Sequence, residues 1–174
     1  MRSRLLLVPA AICMAAPAQA GAPYMTGEEA QAILFPGATF TQDFHLLTDK
    51  QMSIIEGRSR APLYDRQFRL WKTSTGGWFI VDQVEAVNTT DTYAIALDAN
   101  GVVVGVEVLE CMPNYDGVRE AAWRAQFKGK KYGDLGKKGE IEFVSGSTES
   151  AEAITAGVGR VLLSFNMLVQ QPAP

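Results

Sequence analysis

The residues with the most chemical potential in this chain form one short run, Glu142-Phe143-Val144-Ser145-Gly146-Ser147-Thr148-Glu149-Ser150, directly before a long amphipathic pattern. Five oxygen-bearing side chains, Ser145, Ser147, Thr148, Glu149 and Ser150, gather around a glycine where a helix is expected to start. The first turn of a helix leaves backbone N–H groups without partners and carries the positive end of the helix dipole, so such a place suits a phosphate. Gly146 gives room for close approach, and the hydroxyls add polar contacts. The spacing alone fits ordinary capping better, because Ser and Thr are frequent N-caps.

The neighbouring residues change that balance. Ser145-Gly146-Ser147-Thr148-x-Ser150 resembles the Ser/Thr-Gly-Ala-Thr-x-Ser/Thr motif of the FMN-binding domain family, which includes the flavin-carrying subunits of Rnf-type and sodium-pumping NADH:quinone oxidoreductases. The resemblance covers roughly residues 93 to 168. It takes in Gly105-Val106-Glu107-Val108, then Tyr115-Asp116-Gly117, then Trp123-Arg124-Ala125-Gln126-Phe127-Lys128-Gly129-Lys130. The order of the pieces is more specific than any one of them. It implies FMN bound at Glu142, Ser145, Gly146, Ser147, Thr148 and Ser150, with a flavin transferase joining the phosphate to the Thr148 hydroxyl through a phosphoester. Tyr115, Gly117 and Trp123 fall where the family places the other side of its site, and Tyr115 and Trp123 are the expected ring contacts. Three departures stand out. The family usually has Ala at Ser147, Asp at Glu142, and in its larger subunits a Thr-Pro-Gly turn around Tyr115-Asp116-Gly117-Val118.

The amino terminus reads as an export signal. Arg2 and Arg4 precede a short apolar run from Leu5 to Ala16, and Ala18-Gln19-Ala20 supplies small residues for a peptidase. The run is shorter than the ~20 residues that span a bilayer, which disfavours the rival reading of an uncleaved anchor. Ile12 before Cys13 is too large for lipoprotein processing. Residues 21–174 then make one domain of 154 residues with net charge −5, exported to the periplasm. A mildly acidic domain without a basic run is a poor partner for nucleic acid. The lysines between Lys128 and Lys138 are interleaved with glycine, which reads as a solvated loop. Cys111 is the one cysteine of that domain and fits a small buried residue at a strand end. His45, the single histidine, offers no metal or triad constellation by itself.

Periodicity supplies the elements that must position these residues. Thr26-Gly27-Glu28-Glu29 reads as a capping box opening a helix to about Leu34. A strand is expected over residues 38–46, and a helix capped by Thr48 ends near Gly57. Residues 67–71 and 78–84 form a hairpin across Thr75-Gly76-Gly77, and strands 92–97 and 102–109 form another across Asn100-Gly101. A helix is expected over residues 118–127. The last helix carries Ala151, Ile154, Val158, Val161, Leu162, Phe165 and Leu168 as one apolar stripe. Together these predict an α+β fold, an antiparallel sheet packed by helices with a long one at the C-terminal end. The function this implies is an electron carrier between a membrane donor and an exported acceptor, not a stand-alone catalyst. A cofactor-free binding module and a small flavin-dependent reductase are the alternatives.

Overall fold

The computed structural model of the chain describes residues 24–59, 61–86, 89–111, 116–135 and 141–171. The expected leader (residues 1–20) and Tyr115 lie outside the described residues. The architecture is α+β. Its five-stranded antiparallel sheet has the order β1-β4-β5-β6-β7, built from Phe40–Gln42, Leu70–Thr73, Trp78–Ala86, Thr89–Leu97 and Val103–Glu110. A two-stranded ribbon, β2 (His45–Leu46) with β3 (Gln67–Phe68), continues the β1–β4 pair. The strand expected over 38–46 is therefore two strands, separated where the Asp43 N–H bonds the Leu70 carbonyl (2.9 Å).

Three helices build the layers around this sheet, the second of them packing on the third, and each begins or ends for a local reason. In α1 (Gly27–Leu34) the Thr26 hydroxyl accepts from the Glu29 N–H (3.1 Å), and the Glu29 carboxylate accepts from the Thr26 N–H (2.7 Å), a complete capping box. In α2 (Asp49–Ser59), Thr48 plays the same part towards Gln51. In α4 (Thr148–Phe165), Ala151, Ile154, Val158, Val161 and Phe165 face the sheet and are buried, and the chain continues as a π-helical turn, Asn166–Gln170. Thr148 to Gln170 is long and apolar enough to cross a bilayer. Here its stripe is spent on the sheet, with Arg160 bonded at its centre, as in a core helix.

Side-chain alternation divides the core in two. Ile80, Val84, Tyr93, Ile95, Val106 and Val108 point to α4, whereas Phe79, Ala94 and Leu109 point to α1 and its Ala30. Parts of β5, β6 and β7 are buried on both faces, so the sheet is the middle layer of three there.

The helix expected over 118–127 is shorter. A 3-10 turn (Asp116–Arg119) leads to the five-residue α3 (Ala121–Ala125), with Glu120 extended between them. Tertiary bonds override the helical pattern after it: Gly129 N–H donates to the Val103 carbonyl (2.9 Å) and Val103 N–H to the Lys130 carbonyl (2.8 Å). Those two bonds tie the chain to the start of β7.

Candidate functional site

Four pieces of sequence far apart in the chain meet at the start of α4. The Val144 carbonyl accepts from the Ser147 N–H (3.0 Å), closing a tight turn whose third residue is Gly146 at φ +83°. Only glycine takes that conformation without strain. Ser147 stands at the N-cap position but makes no side-chain cap. Its hydroxyl instead accepts from the Gly117 N–H (3.1 Å), and at 2 % exposure the bond is dry. Gly117 could be nothing larger, since a Cβ there would lie 2.4 Å from Val144 Cγ1 and 2.9 Å from Ser147 Oγ. The Gln126 side chain clamps Glu142 on both sides, accepting from its N–H (2.7 Å) and donating to its carbonyl (3.3 Å). Arg124, two residues earlier, pairs with Glu107 and donates to the Val106 carbonyl on β7. The Gly-x-Glu, Asp-Gly, Arg-x-Gln and Ser-Gly-x-Thr pieces thus form one connected unit.

Its exposed product is Thr148. The residue opens α4 and is exposed, as are Ser145, Gly146, Glu142 and Glu149. Because the Ser147 hydroxyl is engaged elsewhere, the first-turn N–H groups lack the acceptor that a capping serine would supply. Ser150 points the other way. It is fully buried beside Asp91 of β6, close enough to act on that carboxyl, although neither its hydroxyl nor either Asp91 oxygen makes a well-formed hydrogen bond. Burial pushes the Asp91 carboxyl above its ordinary range, the nearby Ser150 hydroxyl pulls it partly back, and the charge of Glu110 adds to the rise. Trp123 is 2 % exposed and stands edge-on to Phe127 (5.1 Å between rings), the environment of a core aromatic. Gly117 contributes its backbone alone.

A groove of about 650 Å³ runs along α4 away from Thr148. Its floor is Glu152, Thr155, Ala156 and Gly159. These recur at helical spacing from Thr148, so the hydroxyl stands at the head of the same row, about 6 Å along the axis from Glu152. The facing wall comes from Arg58 at the end of α2 and from Tyr132, Leu135 and Phe143. Tyr132 (43 % exposed) and Phe143 (44 % exposed) have faces open to a ligand, which Trp123 lacks. None of these wall residues stands out in the sequence, apart from Phe143, which precedes the Ser-Gly turn. A smaller pocket of about 280 Å³ reaches Arg160 and Ser164, further along the helix. It begins three turns beyond Thr148.

Other chemistry is sparse. Among the described residues no group of three or more His, Cys, Asp or Glu could hold a metal ion. His45 sits in β2 with Nε2 3.3 Å from Asp43. Cys111 follows β7 at 4 % exposure, and burial raises its thiol to about 11, against the thiolate that redox chemistry needs. No protein-family model matches the chain, and no curated protein matches it either.

Proposed function

We propose that the chain is an exported FMN-carrying electron-transfer domain, akin to the FMN-binding domain family, with the FMN phosphate esterified to Thr148. One observation carries the reading: an exposed threonine hydroxyl heads an uncapped helix turn and shares its helix row with a groove walled by two open aromatic rings. The residues fit the group. The first-turn N–H groups and the Ser145-Gly146 turn suit the phosphate, while Tyr132 and Phe143 suit a flat apolar ring. Bound FMN supplies one- and two-electron chemistry, and the protein holds and tunes it.

The chain's own residues have distinct tasks. Thr148 provides the oxygen for the phosphoester, which keeps the cofactor from being lost outside the cytoplasm. Ser147 and Gln126 hold the 142–148 peptide in shape from beneath, leaving Glu142 and Thr148 outermost for a flavin transferase to read. Ser150 and Trp123 support the site from the core. The partners expected are a membrane donor and an exported acceptor.

The test is an intact mass and a denaturing gel on protein exported from cells that supply the transferase. The expected result is one FMN moiety per chain and a fluorescent band that survives denaturation. Thr148→Val keeps the shape of the exposed residue, and should remove the band while the far-ultraviolet circular dichroism stays unchanged. A folded, colourless wild-type protein from the same cells would turn the reading towards a cofactor-free binding module.

A further inference from the structure

We infer that Arg58 and Lys131 make the groove beside Thr148 electropositive and thereby favour the anionic forms of the ring it holds; this rests on the flavin reading above. Both line the groove, and its one carboxylate is Glu152. Neither cation is spent elsewhere: each ion pair among the described residues joins other groups, so Arg58, Lys131 and Glu152 all face the groove without a charged partner. The arginines at 66, 69, 119, 124 and 160, by contrast, each have a carboxylate. Their backbones are fixed. Arg58 sits in the last turn of α2, whose end is tied by the Ser59 hydroxyl to the Ile55 carbonyl (2.7 Å). Lys131 begins a turn closed by its own N–H on the Asp134 carboxylate (3.0 Å).

The consequence is acid–base and redox tuning. An oxidised flavin ring loses the proton on N3 to become an anion. On reduction it takes two electrons from the protein donor and one proton from water, again ending with one negative charge. A groove with net positive charge favours both anions.

The experiment is a spectral titration of the ring N3–H in the flavin-loaded protein, with the midpoint potential measured against reference dyes and dithionite. A unit charge about 5 Å away in water-like surroundings changes a dissociation constant about fourfold. Arg58→Gln and Lys131→Gln should each lower the N3–H dissociation constant by roughly that factor and lower the midpoint potential. Glu152→Gln should move both the other way, Arg58→Lys should restore wild-type behaviour, and the remote Lys72→Gln should change nothing. Molar salt should collapse the differences, since the screening length there is about 3 Å. Loaded variants that titrate as the wild type does would overturn this inference and leave the flavin reading standing. A wild-type protein whose intact mass lacks FMN would overturn both.

Discussion

Asp91 is the residue whose environment costs the fold most openly. It shares a face of β6 with Tyr93, lies under the first turn of α4 and is fully buried, with only the Ser150 hydroxyl near it and no well-formed hydrogen bond to either carboxylate oxygen. A carboxyl whose folded-state pKa is raised binds its proton more tightly in the native state than in the unfolded chain. Its stabilising contribution is therefore complete at pH values below the unfolded pKa, near 4, and is lost as pH rises through the folded value. Asp91→Asn keeps the shape and removes the titration. Urea midpoints measured at a series of pH values should fall above pH ~4 in the wild type and stay more nearly level in the variant. Parallel pH profiles would show that Asp91 does not titrate with folding. The same residue explains why Ser150 belongs to the scaffold and not to the proposed phosphate cradle: its hydroxyl faces the buried side of the helix.

At the scale of elements, the start of α4 is set by one unusual serine. The resembled motif has alanine where this chain has Ser147, and the structure gives that serine a task of its own, since its hydroxyl is the acceptor for the buried Gly117 N–H. Ser147→Ala strands that N–H and should cost about 1–2 kcal/mol of stability in urea denaturation. An unaltered urea midpoint would mean the bond contributes nothing.

Much of this arrangement was legible in the residues because its causes are local. The capping box of α1, the Asn100-Gly101 turn and the apolar stripe of α4 each lie within one element, and each is found where the pattern puts it. The helix expected over 118–127 is cut short at both ends: Glu120 is extended after a 3-10 turn, and Gln126 and Phe127 bond three residues back just before Gly129 and Lys130 tie the chain to β7, a tertiary demand that no local pattern announces. The groove was illegible for the same reason. Its floor is α4, its wall includes Arg58 about ninety residues earlier, and only the docking of α2 against α4 brings them together. Tyr132 hides in a Gly- and Lys-rich loop that reads as solvated surface.

The whole molecule depends on one buried cation. Arg160 is 2 % exposed in the middle of an apolar helix, and its guanidinium donates to the Pro62 carbonyl, to Asp82 (2.7 Å) and to the Gln83 carbonyl (2.6 Å). Asp82 also accepts from the Tyr93 hydroxyl (2.7 Å). One side chain thus joins α4, β5, β6 and the connection that follows α2. Burial pulls its pKa down, but Asp82, together with Tyr93 and Tyr64, outweighs that, and the guanidinium is held charged. Arg160→Leu leaves a largely buried carboxylate and two carbonyls without their donor, which should cost about 3–5 kcal/mol. Replacing both partners, Arg160→Leu with Asp82→Leu, should recover part of that loss, because no lone charge then remains. The effect should extend to the groove: the segment after α2 loses its tie to α4, so flavin bound as proposed should become more accessible to a neutral fluorescence quencher in Arg160→Leu. Quenching equal to the wild type's, in a variant that has lost the expected stability, would show that the groove's far wall is held by the apolar packing of α2 on α4 and not by this guanidinium.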